Sequence, residues 1–327
     1  MDLDNQTELE ASVFRGDLPG EGATLAVVVA KACGVFNSQG HMGLDPSRKL
    51  PFRQVNAPHE FGHIPGDIAV RKAGVDVMAL GKAYHPTSSG GPQSLVTVRV
   101  GDVERSLEVF GDRYWYRQSD GQWAISDPEP FSLMDLTWNN AYGGDSFDEH
   151  GNVCMHPLNP DGKGFVVCEE AADDALLPNL EHPDQRITVW DQQPRPINIA
   201  PAPKPIAFDL EGEAEALKAV QEGSGRYQVP DELWNDAVPH FRFGEIAPGT
   251  LVSLKGMYER PLLALTPSFR LLARVRLSAR ETVIPLVLDT LLFCPETQHC
   301  ELTWRGSFKY KFVPRETRIV VLERAPA

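Results

Sequence analysis

The segment Gly111–Asn179 constrains the fold most, because motifs typical of turns follow one another along it. Glycine tolerates positive φ and close backbone approach, and proline fixes φ, so a segment rich in both builds loops rather than long regular elements. Its aromatic side chains supply apolar area that can anchor such loops. The segment therefore predicts a loop scaffold that holds a surface. The motifs are Gly111-Asp-Arg-Tyr-Trp115, Pro130-Phe131, Ala141-Tyr-Gly-Gly-Asp145, Asn159-Pro-Asp-Gly-Lys-Gly164 and Leu177-Pro-Asn-Leu180.

The remainder of the chain predicts mostly strands, in which apolar and β-branched residues run together or alternate with polar ones. Two segments favour helix: Leu210–Gln221 is rich in Ala and Glu, and Pro230–Ala237 has proline at a first-turn position. We therefore expect a mainly β fold of the β-rich α+β class, with antiparallel sheets, long Gly/Pro-rich loops and one or two short helices. The predicted strands are Thr24–Phe36, Ile68–Lys72, Val75–Tyr84, Leu95–Val100, Val103–Phe110, Ser268–Ser278, Thr282–Phe293, Cys300–Trp304 and Arg318–Leu322.

A proline-rich stretch, Gln192–Ile206, separates two β-rich parts of the chain. Closely spaced prolines favour a stiff, extended backbone, so this stretch is predicted to connect two lobes. The expected division is an N-terminal lobe at 1–191 that carries the turn motifs, a connector at 192–206, and a C-terminal lobe at 207–327. A single continuous domain is the alternative.

The net charge of −14, from 45 acidic and 31 basic side chains, argues against a nucleic-acid partner. Such an excess of acid repels phosphate backbones unless basic groups cluster. The nearest approach to a cluster is Arg270, Arg274, Arg276 and Arg280, which alternate with apolar residues as the solvent face of a strand would. A site for an anionic ligand is the alternative interpretation of these arginines.

The cysteines and the apolar runs predict a cytoplasmic protein with no membrane span. Five cysteines are an odd number in a chain of 327 residues, which favours reduced thiols over a disulfide framework. The N-terminal residues lack the basic and apolar regions of a secretory signal. The longest apolar run, Leu25–Ala30, is too short to cross a bilayer and is typical of a buried strand.

The sequence His59-Glu60-Phe61-Gly62-His63 matches the pattern of zinc hydrolases in which two histidines flank a glutamate base. The chemistry requires a helix, because only helical spacing puts both imidazoles on one face beside the glutamate. Gly62 weakens a helix here and Pro65-Gly66 ends it, and no third ligand follows. A loop without a metal is therefore favoured, and a zinc-dependent hydrolase is the alternative.

Two further groups of polar residues could suggest a site, but each is more typical of a solvated loop. Four zinc-competent side chains have spacings that match no familiar closed zinc site. Four carboxylates lack the ligand spacing of a calcium loop, and sequence gives no separation across a cleft. The first group is His150, Cys154, His156 and Cys168, and the second is Asp135, Asp145, Asp148 and Glu149.

Motifs for nucleophilic or nucleotide chemistry are absent from the sequence. It contains no Gly-x-Ser-x-Gly elbow, no P-loop and no dinucleotide-binding fingerprint. Cys33 lies within a predicted apolar strand, where a thiol is usually inert. We therefore predict a protein that is not an enzyme and needs no cofactor.

The turn motifs, in their order, resemble the bacterial family of unknown function DUF2169, and the resemblance spans residues 20 to 322. The family pattern has Gly-Asp-Arg-x-Trp after a hairpin, then Pro-Phe, an aromatic-Gly-Gly turn, Asn-Pro-x-Gly-x-Gly and Leu-Pro-Asn-Leu-Glu. Upstream, Lys72–Tyr84 resembles a family strand in which Lys precedes Asp-Val, and downstream Leu288–Leu291 and Leu302–Gly306 resemble its closing hairpin. Between about Ile206 and His240 this chain departs from the family pattern.

The resemblance implies a non-enzymatic adaptor or chaperone of type VI secretion. Its expected partners are a secreted toxin effector and a spike protein of the VgrG or PAAR type. A structural component of the secretion apparatus is a further alternative. The motif residues are expected either to build the fold or to form part of a partner-binding surface, and both roles can coexist where buried residues shape an exposed rim. They are Gly111, Asp112, Arg113, Trp115, Phe131, Tyr142, Gly143, Gly144, Asn159, Pro160, Gly162, Gly164, Leu177, Pro178 and Asn179.

Overall fold

The computed structural model describes residues 1–18, 23–208, 218, 230–277, 280–311 and 318–326. Strands account for 48% of the structure and helices for 6%, so the predicted mainly β fold is confirmed. The strands are β1 (Asp2–Asn5), β2 (Glu10–Leu18), β3 (Ala23–Phe36), β4 (Met42–Leu44), β5 (Ala57–His59), β6 (Gly62–Ile64), β7 (Val75–Ala79), β8 (Lys82–Tyr84), β9 (Gln93–Val100), β10 (Val103–Phe110), β11 (Trp115–Arg117), β12 (Trp123–Ile125), β13 (Leu133–Asp135), β14 (Tyr142–Gly143), β15 (Asp145–Phe147), β16 (Val153–Met155), β17 (Lys163–Gly164), β18 (Leu180–Glu181), β19 (Arg242–Phe243), β20 (Leu251–Lys255), β21 (Leu262–Leu265), β22 (Phe269–Leu277), β23 (Arg280–Cys294), β24 (His299–Tyr310) and β25 (Arg318–Pro326).

Helices in the described residues are short. The α-helix α1 spans Lys204–Ala207, and the 3₁₀ helices span Trp138–Asn140, Glu169–Ala171, Asp231–Trp234 and Pro239–Phe241. No helix in these ranges is long and apolar enough to cross a membrane.

The largest sheet has ten strands, with the main path β1-β25-β22-β23-β24-β3-β2. Further strands join it at the side: β4 pairs with β3, β7 pairs in parallel with β23, and β19 pairs with β7. Only residues 6–9 separate β1 from β2, so the N-terminal segment connects the two ends of the path. The ion pair between Arg324 of β25 and Glu8 of this connection, at 3.6 Å, joins the same two edges.

The second sheet has five strands in the order β18-β10-β9-β20-β21, and five two-stranded ribbons complete the described architecture. Strands from both sides of Gln192–Ile206 share each large sheet, because β3 pairs with β24 and β9 pairs with β20. Each large sheet therefore contains strands from before and after the proline-rich stretch. The connector itself is anchored, since Ile197, Ile199 and Ala202 are buried in the main core.

The strand β3 is apolar along its length because both of its faces are covered. Val28 and Ala30 point into the main core, whereas Val27 and Val29 point to the opposite face, which Phe52 helps to cover. Burying one such valine fully contributes roughly 1.5–3 kcal/mol. This explains why a continuous apolar run, rather than an alternating pattern, marks this strand.

The solvent-face interpretation of the arginines on β22 is confirmed by the burial along this strand. Leu271, Ala273 and Val275 are buried, and the alternate positions lie on the other face. Arg274 on that face donates to Glu323 at 2.7 Å. Alternation along this strand therefore accounts for the spacing of its arginines.

A buried cluster of polar and charged side chains, here called the Lys72 hub, links residues 204–236 to strand β7 of the largest sheet. It consists of Lys72, Asp76, Lys204, Asn235 and Asp236. The Lys72 ammonium lies 2.6 Å from Asp76 and 2.9 Å from Asp236, and Asn235 donates to Asp76 at 2.8 Å. Burial opposes the charged form of Asp236, but Lys72 and Lys204 outweigh it and lower the pKa of Asp236 to about 2.

The Lys72 hub explains why one predicted helix is shorter than expected. Pro230–Ala237 forms only the 3₁₀ helix Asp231–Trp234, since Asn235 leaves it with an extended backbone and its side chain enters the hub. Apart from Lys218, the predicted helix Leu210–Gln221 lies outside the described residues.

Two strand predictions need correction. Ile68–Lys72 is not a strand, because its residues run as irregular backbone and Lys72 turns its ammonium into the hub. The prediction Val75–Tyr84 divides into β7 and β8, because Leu80 and Gly81 interrupt it and β8 pairs with a different strand, β13. The other predicted strands are present, most of them extended by a few residues.

Candidate functional site

The histidines of the zinc-like pattern lie on a β-hairpin rather than a helix. His59 ends β5 opposite Gly62, whereas His63 in β6 is opposite Pro58. Side chains alternate between the faces of a ribbon, so the two imidazoles point to opposite faces and do not converge as they do on a helix. The Nδ1 of His59 accepts the backbone N–H of Phe61, and burial lowers the pKa of His63.

The second zinc-competent group is dispersed, and its buried members have structural contacts. His156 lies between the rings of Tyr142 and Phe165, at centroid distances of 5.1 and 5.2 Å. The Cys168 thiol donates to the Phe147 carbonyl at 3.2 Å. Within the described ranges, no three His, Cys, Asp or Glu side chains are placed to share a metal ion.

The acidic loop residues also have local structural roles. Asp148 accepts backbone N–H groups of His150 and Asn152, and it accepts the Asn152 side chain at 2.9 Å. The Asn152 side chain is the main reason why the pKa of Asp148 lies below its ordinary value. This is a turn stabilised by its own carboxylate. All five cysteines are unpaired thiols.

Most of the family-motif residues come together in the segment that begins after β10. Asn179 joins the first and last motifs, because its side-chain amide donates to the carbonyl of Phe110 and to the Asp112 carboxylate, at 3.0 and 2.9 Å. Lys163 donates to the Asn179 side chain at 2.6 Å, which adds the Asn-Pro motif to the same network. At Gly111 a Cβ would lie 1.7 Å from the carbonyl oxygen of Glu129, so no larger residue fits.

The buried Arg113 side chain links the Gly-Asp-Arg-x-Trp motif to the Leu-Pro-Asn-Leu-Glu motif. Its guanidinium donates to the Pro178 carbonyl at 2.9 Å and to Glu181 at 2.7 Å, and it stacks over the Phe110 ring at 3.8 Å. Burial raises the pKa of Glu181, and the Arg113 charge opposes that rise. Removal of either member would leave an uncompensated buried charge.

The aromatic-Gly-Gly turn packs against the Asn-Pro motif. The side-chain amide of Asn159 donates to the carbonyls of Trp138 and Tyr142, both at 2.9 Å. The backbone carbonyl of Asn159 accepts the Gly144 N–H at 2.8 Å. Gly143 has φ of 147°, and a Cβ there would lie 2.1 Å from the Asn159 carbonyl oxygen. The glycine is therefore required both by its conformation and by the close approach. Gly162 and Gly164 complete this turn network, since Gly162 donates to Asn159 and Gly164 pairs with Gly143.

The motif Gly-Asp-Arg-x-Trp leads directly into β11, and residues 111–116 alternate strictly between buried and exposed. Arg113 and Trp115 are buried, whereas Tyr114 and Tyr116 are exposed. The strand lies between β12 on one side and the chain around Leu176 on the other, where Tyr114 and Leu176 are bridge partners. Trp115 packs with Leu177 and Ile187 in a small second core.

The outer side of this strand exposes an aromatic surface, which we call the tyrosine face and define as Tyr114, Tyr116 and Leu176. Their exposed fractions are 43%, 39% and 47%, and the two tyrosine rings lie 6.4 Å apart. Sequence reasoning singled out the buried partners Trp115 and Leu177 and did not name these three residues. The strand period of two, applied to Gly111–Tyr116, is the signal that could have found the tyrosines.

Two motif residues stand apart from this assembly. Phe131 pairs with Gly91 and contacts the His85 ring edge-on at 6.0 Å, beside a cleft of about 680 Å³ that His85 and Tyr84 line. Pro160 is exposed at the surface. The structure therefore joins most of the motif residues into one scaffold and leaves these two outside it.

The chain was compared with known proteins. A family model described as "Uncharacterized protein conserved in bacteria (DUF2169)" matches residues 21–305. No curated protein and no solved structure matches the chain.

Proposed function

The chain belongs to this family of uncharacterized bacterial proteins, and from that premise we propose that it is a non-enzymatic adaptor that binds a type VI secretion effector. Its partners are a toxin and a spike protein of the VgrG or PAAR type. The adaptor holds the toxin in a form that can be loaded and transfers it to the spike complex.

The observation that supports the proposal best is the alternation at Gly111–Tyr116. The buried side chains of Arg113 and Trp115 anchor the extended segment that leads into β11. The outer side of this segment presents two exposed tyrosines. Tyrosine is enriched at protein interfaces, because it offers a large rigid area and a hydroxyl group at small entropic cost. A scaffold that keeps such side chains exposed is suited to binding a protein.

The mechanism is binding rather than chemistry. The tyrosine face covers an exposed surface of the toxin before export, which protects that surface from association with other proteins. Release follows when the spike complex binds the loaded toxin better than the adaptor does, since a partner shifts an equilibrium only by its difference in affinity. No cofactor takes part.

Two other functions make different predictions. A zinc hydrolase would need His59 and His63 on one side of Glu60, and on the hairpin they point to opposite faces. A structural component of the apparatus would be exported together with the spike, whereas an adaptor stays in the cytoplasm.

The test is affinity purification of the tagged full-length chain from native bacterial extract, with the bound proteins identified by mass spectrometry. We expect a toxin and a spike or PAAR-type protein to be recovered together. The culture medium is analysed in parallel. Recovery of neither partner would contradict the proposal, and secretion of the chain with the spike would support the structural alternative instead.

A further inference from the structure

We propose that the tyrosine face binds a basic, extended segment of the partner. This inference rests on the proposed function only in requiring a protein partner. It names the chemistry of the segment that this partner presents, from the exposed aromatic side chains and from the distribution of charge around them.

The acidic charge of the chain is concentrated around the tyrosine face. Of the 45 acidic side chains, sixteen lie in Gly111–Asp191, whereas only four of the 31 basic side chains do. The remainder of the chain is therefore close to neutral. A negative electrostatic potential over one part of a surface attracts positively charged partners.

The four basic side chains of this segment are all engaged in ion pairs. Arg113 pairs with Glu181, Arg117 with Glu169, Lys163 with Asp112, and Arg186 with Glu108. None of them belongs to the tyrosine face, and Arg113 is buried. No basic side chain of the segment is left to neutralise further carboxylates.

Among the described residues, Asp127, Glu129 and Asp174 lie beside the tyrosine face without an ion-pair partner, and Asp173, also unpaired, precedes Asp174 in the same exposed turn. Backbone hydrogen bonds place the first three beside the face. The Asp174 N–H donates to the Trp115 carbonyl, which belongs to the same peptide unit as the nitrogen of Tyr116. Ser126 donates to the Tyr114 carbonyl, so Asp127 follows at the edge of the face, and Glu129 donates to the Asp112 carbonyl.

This combination selects a basic polypeptide. Guanidinium and ammonium groups bind favourably over tyrosine rings, and carboxylates at the rim pair with them. A chelated metal ion would need carboxylates that converge, and none of the described residues form such a group. The face is a short strand surface flanked by neighbours, which suits an extended segment whose alternate side chains reach the rings.

The test uses a short fluorescein-labelled peptide of alternating arginine and threonine, and a peptide of alternating glutamate and threonine for comparison. Binding to the full-length chain is measured by fluorescence anisotropy at about 0.15 M ionic strength, where the screening length is about 8 Å. We expect the arginine peptide alone to bind. The double variant Tyr114→Ala/Tyr116→Ala should bind it about tenfold more weakly, because cation–π contacts are lost.

Charge-matched variants separate a local site from a general acidic field. Asp173→Asn/Asp174→Asn should weaken binding several-fold, whereas Asp145→Asn/Glu149→Gln, which removes the same charge from the β15–β16 hairpin, should leave it nearly unchanged. Equal weakening by the two charge variants, or unchanged affinity in the tyrosine variant, would overturn the inference. Circular dichroism checks that each variant is folded.

The outcome is distinguishable from failure of the proposed function. If toxin and spike proteins are recovered from extract but the tyrosine and aspartate variants bind them normally, the adaptor function holds and the basic-segment inference is wrong. If the arginine peptide binds the tyrosine face but no secretion partner is recovered, the inference holds and the proposed function is wrong.

Discussion

At the residue scale, the most consequential side chain of the fold is Lys72, which the sequence marked as the end of one predicted strand and the start of a family strand. Its ammonium is buried between Asp76 and Asp236, and Asp236 lies far along the chain. The spacing of Lys72 and Asp76 is visible in the sequence. The role of Asp236 was not, because a contact across 164 positions leaves no local pattern.

Replacement of Lys72 by methionine should destabilise the protein by about 3–5 kcal/mol, because the buried Asp76 would lose its counter-charge and Asp236 would keep only Lys204. The free energy of unfolding is measured by urea denaturation. Lys49→Met is the control, since Lys49 forms an exposed pair with Glu10 and its loss should change stability little. A destabilisation below about 1 kcal/mol for Lys72→Met would contradict the importance of the hub.

At the scale of elements, the sequence predicted most strands and the loop scaffold, but not the order of strands in the sheets. Apolar runs and alternation determine where β3, β9, β10 and β22 to β25 lie, because those patterns follow from burial on one or both faces. They do not determine which strands pair. The mixing of strands from both sides of Gln192–Ile206 depends on long-range contacts that no local signal records.

The glycine turn at Gly143 should be intolerant of any side chain. Gly143→Ala should destabilise the protein by about 1–3 kcal/mol or more, because a Cβ would meet the Asn159 carbonyl oxygen in a conformation that L residues avoid. Thermal and urea denaturation measure the change. Gly43→Ala is the matched control, since no atom lies within 4 Å of a Cβ at that position. Equal stability of the two variants would contradict the scaffold role of the turn.

At the scale of the whole molecule, several histidines are held in surroundings that disfavour their charged form. Burial lowers the pKa of His63, His156, His240 and His299 from the ordinary value of 6.5. The unfolded chain therefore binds protons more readily than the folded one as pH falls below that value. Stability should be complete above about pH 6.5 and should decline as pH falls through the lowered pKa values.

The arrangement of His182 and His240 shows one physical reason for this expectation. The Asp184 N–H donates to Nδ1 of His182, so Nε2 of His182 carries the proton and donates to Nδ1 of His240 at 3.0 Å. Nε2 of His240 then donates to the Ser106 carbonyl at 2.9 Å. The neutral His240 ring is both donor and acceptor, and a proton added at its Nδ1 would face the N–H donor of His182.

The free energy of unfolding should therefore stay nearly constant from about pH 7.5 to pH 6.5 and fall from about pH 6.5 to pH 5.5. The dependence on pH should be weaker in His156→Gln, because one buried imidazole that resists protonation is removed. His150→Gln, at an exposed position, should keep the wild-type dependence. Urea denaturation across this range gives the slopes, and a flat profile for the wild type would contradict the account.

The central claim is that buried motif residues hold the tyrosine face in place to bind a secretion partner. The most direct test is the amount of toxin that co-purifies from native extract with the wild type and with Tyr114→Ala/Tyr116→Ala, at equal bait. Val283→Ala/Val287→Ala is the control, because these valines are similarly exposed, at 45% and 46%, on β23. We predict that the tyrosine variant loses most of the toxin while the valine variant retains it. Equal recovery by all three proteins would contradict the claim.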